Sequence, residues 1–292
     1  MLEIKNLVKT YTTFSLGPLD LEIPTGCALG LVGANGSGKT TLFRSIMGTV
    51  SRNQGSISID GVETEQLRGE YKNSIGYVGD YVPLFDNWTG EKNLELFSSF
   101  YTDWSTKRVK DVAQQLNLDL HQKVSNYSTG QRAKLGITIA LAHKPKLLLL
   151  DEPTTGLDPI SRDGFMELLF EVAEAENCAI LYATHHIAEF ERLADRFIFI
   201  SEGRIVRDEI KEDLTESWRR ISYRLAGPLE DVPNIVQRKS ENTQHVVISD
   251  NFEETVSFLN GKGAESMEVS SISVEKIATE ILRQSSREIS HV

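Results

Sequence analysis

The sequence has no long hydrophobic run and only two cysteines. No apolar stretch approaches the roughly 18 residues that a membrane-spanning helix requires. Residues 1–4 lead directly into a strand pattern, without the basic and apolar regions of a signal peptide. Cys27 and Cys178 lie in apolar, strand-like runs with no His or second Cys at metal-binding spacing. We therefore expect a cytosolic chain whose two thiols are reduced and lie in the core.

Basic residues are too few to balance the acidic ones, with 31 Lys and Arg against 42 Asp and Glu. The resulting formal net charge of −11 repels a nucleic-acid backbone, and no local basic cluster opposes it. We therefore expect no nucleic-acid partner. The 292 residues are 40% hydrophobic and 25% charged, which is typical of a globular protein with one large domain and one small one.

Residues 33–41 (GANGSGKTT) carry the clearest chemical signal in the chain. They follow the apolar run 27–32 and precede a helical pattern, which is the context of a G-x-x-x-x-G-K-[ST] phosphate-binding loop. Glycines let such a loop wrap closely with its N–H groups pointing inward, and the helix start adds the positive end of its dipole. The alternative, a turn that binds nothing, is disfavoured because every fixed position matches. We predict polyphosphate contacts from Gly33, Asn35, Gly36, Ser37, Gly38, Lys39, Thr40 and Thr41.

Two side chains of this loop have distinct predicted roles. The Lys39 ammonium is expected to reach the β and γ phosphates as a point charge, so we count it among the catalytic residues. The Thr40 hydroxyl is expected to be a ligand of Mg²⁺.

A continuous apolar strand at residues 146–150 ends in two acids, Asp151 and Glu152. Such strands belong to parallel sheets covered on both faces, and ligands bind at the carboxyl ends of their strands. We therefore predict that Asp151 holds Mg²⁺, directly or through water, and that Glu152 accepts a proton from the water that attacks the γ-phosphate. The alternative is that the acids only cap a helix.

Two further residues are candidates on weaker grounds. His185 follows another apolar strand, residues 179–183, so it is expected at the same sheet edge, where its imidazole can donate to a phosphate oxygen. A lone His at a strand end is more often structural. Tyr11 precedes the phosphate loop and is equally suited to packing on a sheet or to stacking on a purine ring.

Residues 1–215 resemble the nucleotide-binding subunit of ATP-binding cassette (ABC) transporters. The resemblance rests on the phosphate loop, the strand that ends in two acids, and residues 127–131 (YSTGQ), which precede a helix shortly before that strand. It implies that Tyr11 stacks on adenine, that residues 156–158 cross a dimer and that His185 is the switch histidine. It also implies that one cassette covers the ATP held by a second cassette with Ser128, Gly130 and Gln131.

Two positions depart from the family pattern. Thr129 replaces the first glycine of the usual Leu-Ser-Gly-Gly-Gln signature and places a β-carbon where the backbone normally approaches phosphate. Asp80 aligns without a gap with the family's glutamine. By resemblance, Asp80 is a candidate Mg²⁺ ligand that acts through water, because a carboxylate near the cation stays ionised.

The predicted architecture is an α/β P-loop NTPase fold with an N-terminal antiparallel β subdomain. The ATP-binding domain is expected over residues 1–215, with a helical insertion at about 85–145. A small α/β accessory domain is expected over residues 216–292, with strands at 221–225 and 245–248 and helices at 252–259 and 274–282.

The resemblance implies an ATP- and Mg²⁺-dependent ATPase that powers a membrane transporter through head-to-tail dimerisation of two cassettes. The chain is most similar to exporter-type cassettes of the drug and antibiotic-resistance group. Its implied partners are an integral membrane subunit and an identical or related cassette, which place it peripherally on the inner face of the cell membrane. The alternatives are a soluble cassette ATPase acting on ribosomes or nucleic acid, and a phosphate-loop kinase of a small molecule.

Overall fold

A computed structural model describes residues 1–67, 69–79, 82–225, 232–241 and 243–289 of the chain. The strands are β1 (Leu2–Thr10), β2 (Ser15–Ile23), β3 (Ala28–Val32), β4 (Gln54–Ile59), β5 (Val62–Glu63), β6 (Ile75–Val78), β7 (Leu147–Asp151), β8 (Ala179–Thr184), β9 (Arg196–Ser201), β10 (Arg204–Ile210), β11 (Arg219–Arg224), β12 (Ile235–Glu241), β13 (Gln244–Ser249) and β14 (Glu265–Ser271). The α-helices are α1 (Lys39–Ile46), α2 (Gly90–Ser98), α3 (Thr106–Gln115), α4 (Thr129–Leu141), α5 (Pro159–Glu176), α6 (Ile187–Phe190), α7 (Lys211–Ser217), α8 (Phe252–Gly261) and α9 (Val274–Ile289).

A six-stranded sheet in the order β10-β9-β3-β8-β7-β6 forms the centre of the molecule. Its strands run parallel except β10, which pairs antiparallel with β9. Every residue of β3, β7 and β8 is buried. Alternate residues of each strand enter two hydrophobic clusters, one on each face of the sheet. Burial on both faces explains why these strands are continuous apolar runs rather than alternating ones.

An antiparallel sheet in the order β2-β1-β4-β5 packs on one face of the central sheet. Its residues alternate between buried and exposed positions along β2, as expected for a sheet with one covered face. Leu2 and Ile4 of this sheet join Phe43 and Ile46 of α1 in one cluster. The predicted α/β class and the N-terminal antiparallel sheet are therefore confirmed.

Helices α2, α3 and α4 lie in the stretch for which the sequence predicts a helical insertion. They pack around a separate small cluster that contains Leu94, Val109 and Leu135. Of the two thiols, Cys178 is buried, and burial raises its pKa to about 12. Cys27 is only half-buried and lies one residue before β3, so the prediction of a core thiol at this position is only partly correct.

The C-terminal residues form a third sheet in the order β12-β13-β11-β14, with α8 against one face. The sequence predicts β11, β13, α8 and α9 but not β12 or β14. Both missed strands lie at sheet edges and expose most of their side chains, so they lack the apolar alternation that marks a strand in a sequence.

Helix α9 returns from this third sheet to the central one. It lies against β9 and α6, and Ile277 and Ile281 belong to the same buried cluster as Phe197 and Phe199 of β9. The boundary at residue 215 remains a prediction. Helix α9 lies beyond this predicted boundary and nevertheless packs against β9 of the central sheet.

We expect Ile281→Ala to lower the free energy of unfolding by about 2–5 kcal/mol, because Ile281 is 2% exposed and its loss leaves a cavity against β9. Urea unfolding of the full chain measures the change. Thr279→Ala, on the exposed face of the same helix, is the control and should change stability by less than about 0.5 kcal/mol. A separate early transition that leaves the main transition unchanged would show that α9 does not stabilise the central sheet.

Candidate functional site

A cleft of about 640 Å³ opens where β3, β7 and β8 end. The carboxyl ends of these parallel strands meet at one edge of the sheet, so the residues that follow them converge there. The cleft is lined by Phe14, Asn35, Gly36, Gly38, Lys39, Thr40, Thr41, Asp151, Glu152, Thr155 and His185.

The loop between β3 and α1 is shaped by its glycines. Gly36 and Gly38 have φ angles of 81° and 113°, in the left-handed region that favours glycine. A Cβ at Gly36 would meet open space, whereas a Cβ at Gly33 would lie 2.4 Å from the carbonyl oxygen of Ile200. Gly33 is therefore required by close packing, and Gly36 leaves the loop open toward the cleft.

Lys39 begins α1 and is 6% exposed. Its Nζ donates hydrogen bonds to the carbonyl oxygens of Gly33, at 2.7 Å, and Ala34, at 3.2 Å. The ammonium is thus held over the loop's own backbone, at the point where the cleft begins. Ser37 is buried in the same loop, where its Oγ has no hydrogen-bond partner.

Thr40 and Asp151 meet across 111 residues of sequence, and the Thr40 Oγ1 donates to the Asp151 Oδ2 at 2.7 Å. A hydroxyl and a carboxylate are hard oxygen donors of the kind that Mg²⁺ prefers. The described residues contain no cluster of three or more His, Cys, Asp or Glu that could hold a metal alone. The pair therefore fits a Mg²⁺ ion that keeps water and phosphate oxygens among its ligands.

Glu152 and His185 form the second polar pair of the cleft. The Glu152 Oε2 lies 2.9 Å from the His185 Nδ1, and the Glu152 Oε1 is buried without a hydrogen-bond partner. The side chain of Glu152 is 17% exposed and that of His185 is 55% exposed. Glu152 has a φ of 51°, a left-handed conformation that is uncommon for a residue other than glycine and that marks backbone strain.

Residues 127–131 lie outside this cleft. Ser128 is the N-cap of α4, where its Oγ accepts from the backbone N–H of Gln131 and the Gln131 side chain accepts from the Ser128 N–H. This capping box satisfies two backbone donors at the helix start. Gly130 is buried, and a Cβ there would lie 2.7 Å from the carbonyl oxygen of Gly156. Burial raises the pKa of Tyr127 to about 12, and its hydroxyl donates to the backbone carbonyl oxygen of Asp119.

The loop that contains Gly156 ends at Asp158, the N-cap of α5. Hydrogen bonds from the side chain and backbone of Ser161 lower the pKa of Asp158. The structure therefore places the start of α4 beside residues 156–158 of the same chain, and it does not bring Ser128, Gly130 or Gln131 into the cleft.

Phe14 is an aromatic residue that lines the cleft. Tyr11 is 41% exposed, and the Lys9 Nζ lies 5.2 Å from its ring centroid, but Tyr11 is not among the lining residues. Phe14 packs beside Gly38, and the sequence reasoning missed it. The signal that could have found it is a second aromatic three residues after Tyr11, directly before β2. Asp80 lies outside the described residues.

A second cleft, of about 400 Å³, lies on the other side of Glu152. It joins the end of β6, the start of α4 and the loop after β7. Its lining residues are Val78, Gly79, Val82, Thr129, Arg132, Ala133, Glu152, Pro153 and Thr155. Glu152 and Thr155 border both clefts.

Comparison with known proteins agrees with this geometry. A family model described as "ABC transporter" matches residues 16–155. The uncharacterized ABC transporter ATP-binding protein YdbJ of Bacillus subtilis is 38% identical over 192 residues, covering 65% of this chain and 62% of YdbJ. The linearmycin resistance ATP-binding protein LnrL of the same organism is 31% identical over 221 residues, covering 73% of this chain and 70% of LnrL.

A solved structure of another ATP-binding cassette is similar to most of this chain. The dimeric, post-hydrolysis state of the ATP-binding cassette MJ0796, bound to ADP and Pi, gives a TM-score of 0.66 at 26% identity and covers 72% of this chain and 99% of that one. The predicted P-loop NTPase fold and the family resemblance are confirmed by these matches. The chain therefore belongs to the ABC transporter family.

Proposed function

We propose that this chain uses the cleft at the ends of β3, β7 and β8 to bind ATP with Mg²⁺ and to hydrolyse it in support of transport by a membrane protein. The single observation that carries the proposal is the presence of two polar pairs in one cleft, Thr40 with Asp151 and Glu152 with His185. The first pair has the chemistry of a metal site, and the second has that of a base and its orienting partner.

Each residue then has a defined task. The backbone of residues 33–41 surrounds the phosphates, and Lys39 exchanges carbonyl contacts for charge-assisted contacts to phosphate oxygens. Thr40 and Asp151 would hold Mg²⁺, which supplies charge neutralisation at the phosphate oxygens. Glu152 accepts a proton from the attacking water, and His185 holds the Glu152 carboxylate in place. Tyr11 and Phe14 are the aromatic candidates for contact with the base.

The working unit in this proposal is a head-to-tail pair of cassettes. Ser128, Gly130 and Gln131 lie outside the cleft of their own chain, while the N-terminus of α4 is a suitable anion site for a partner's nucleotide. The similar cassette MJ0796 is dimeric in its post-hydrolysis state, which supports a pair of cassettes as the working unit. ATP bound between two such surfaces would stabilise the pair, and hydrolysis would release it.

The second partner in the proposal is an integral membrane subunit made as a separate chain, which places this protein on the inner face of the membrane. In the part of the chain that the structure describes, no helix is long and apolar enough to cross a membrane. We propose that the partner docks near residue 80 and the helices α2–α4. Phe85 is 50% exposed there and stacks on Trp88 with ring centroids 4.6 Å apart.

Copurification tests the transport role directly. The tagged full chain, isolated from detergent-solubilised cells, is expected to bring an integral membrane protein with it. Sedimentation with ribosomes in place of a membrane partner would instead support a soluble cassette ATPase.

The name of LnrL favours an exporter of the antibiotic-resistance group as the transporter.

We expect Lys39→Ala to weaken ATP binding by about tenfold to 150-fold, because charge-assisted hydrogen bonds are worth about 1.5–3 kcal/mol each. Equilibrium titration with a fluorescent ATP analogue measures the affinity. Lys110→Ala, at an exposed position on α3, removes the same charge and should leave binding unchanged. Equal affinity of Lys39→Ala and the wild type would rule out the phosphate-loop assignment.

We expect Glu152→Gln to lower turnover by about two to four orders of magnitude, the usual contribution of a general base, while ATP binding is retained. The variant should also accumulate as an ATP-bound dimer. Phosphate release and size-exclusion chromatography with MgATP measure the two effects, with Glu95→Gln on α2 as the control for charge. A variant that stays monomeric at saturating ATP would count against the shared site of two copies.

A further inference from the structure

Glu189 lies outside the cleft but makes two charge-assisted contacts close to it. It belongs to α6, and its side chain is 12% exposed. Its Oε2 accepts a hydrogen bond from the Thr154 Oγ1 at 2.8 Å, and its Oε1 lies 2.7 Å from the Arg162 Nη1. Hydrogen bonds with an ionised partner are roughly twice as strong as neutral ones. One carboxylate therefore joins three separate segments of the chain.

Two of these segments also carry a residue of the proposed site, and the third begins directly after the loop of residues 156–158. Thr154 is two residues after Glu152 and is 3% exposed. Arg162 lies in the first turn of α5, whose N-cap is Asp158. Glu189 itself follows His185 by four residues. The contacts of Glu189 thus connect the loop that holds the proposed base with the helix that follows its histidine partner.

The loop after β7 needs such support because Glu152 is strained. Its φ of 51° is a conformation that persists only where the surrounding structure holds it. The backbone N–H of Glu152 donates to the carbonyl of Ala183, and Thr155 N–H donates to the carbonyl of Glu152. These backbone bonds fix the position of Glu152 in the turn. The buried Thr154 hydroxyl adds a side-chain bond two residues after it.

We propose that Glu189 is a positioning residue for hydrolysis, which holds Glu152 against His185 through its contacts with Thr154 and Arg162. The inference rests on the proposed function of Glu152 as the base. The Glu152–His185 distance is 2.9 Å, and a displacement of about 1 Å at a reacting group can cost a hundredfold in rate. The proposed role of Glu189 concerns the position of the Glu152 carboxylate. It involves no contact with the phosphate loop.

Helix α6 has other anchors, so we expect it to stay folded without the Glu189 carboxylate. Phe190 is fully buried and stacks on Tyr182 with ring centroids 4.4 Å apart. The Arg192 guanidinium lies 5.8 Å from the ring centroid of Phe170 on α5. The Tyr182 hydroxyl is 3.5 Å from the Thr154 Oγ1, and burial raises the pKa of this tyrosine, so it stays protonated.

The test is steady-state ATPase kinetics of full-length variants. Glu189→Ala and Thr154→Val are each expected to lower kcat by about tenfold to a hundredfold, with the KM for ATP changed by less than about twofold. Thr154→Val keeps the shape of the side chain but removes the hydroxyl. Thr154→Ser restores the hydroxyl and should recover most of the wild-type kcat. Glu189→Gln, which keeps an oxygen acceptor for Thr154, should lose less than Glu189→Ala and serves if Glu189→Ala folds poorly.

Two controls separate positioning from a merely structural role. Glu167→Gln removes a charge at an exposed position of the same helix as Arg162, α5, and should leave kcat unchanged. The double variant Thr154→Val/Glu189→Ala should lose less kcat than the product of the two single losses, because both single variants remove the same Thr154–Glu189 contact. Losses that multiply, or a lower melting temperature with an unchanged kcat per folded molecule, would overturn the inference.

The same assay distinguishes a failure of the proposed role of Glu189 from a failure of the proposed role of Glu152. An inactive Glu152→Gln beside fully active Thr154→Val and Glu189→Ala would overturn the role of Glu189 alone. A fully active Glu152→Gln would overturn the proposed role of Glu152 as the base, and the role of Glu189 with it.

Discussion

The register of three parallel strands is the constraint on which the rest of the molecule depends. Val32 at the end of β3 lies opposite Thr184 of β8, and Asp151 at the end of β7 lies opposite Ala183. This alignment brings the phosphate loop, the two acids and the histidine to one edge. Because side chains alternate between faces, a slip of one residue in β7 would turn Asp151 away from Thr40 and move its apolar neighbours to the wrong cluster. The hydrophobic core and the polar cleft are thus specified by the same pairing.

Much of this site could be predicted from the sequence because its signals are local. The loop of residues 33–41, the acids after residue 150 and His185 each follow an apolar strand, and parallel strands end at a common edge. Pairings between distant residues could not be predicted in the same way. The Glu189–Thr154 bond depends on how a helix and a loop approach each other in space, which no spacing rule gives. Phe14 was missed because the sequence alone does not show which of two nearby aromatic residues, Tyr11 or Phe14, faces the cleft.

The C-terminal part of the chain shows a different limit of prediction from sequence. A helix at 274–282 was predicted from its apolar period, and the structure has one at Val274–Ile289. The period shows that one face is buried but not what covers it. Here the helix is covered by β9 and α6, so residues far beyond the predicted boundary complete the core of the central sheet. Trp218 and the Arg207–Asp250 ion pair strengthen this junction. The two predicted domains are thus joined by a shared hydrophobic cluster.

The position of α9 has a consequence for synthesis of the protein. Strand β9 leaves the ribosome well before α9 is made, and during that interval Phe197 and Phe199 lack part of their cover. Apolar surface that is exposed in a partly made chain promotes aggregation and attracts chaperones. The cassette strands therefore cannot reach their final packing as they emerge. The nascent chain must therefore keep β9 protected until α9 has been made.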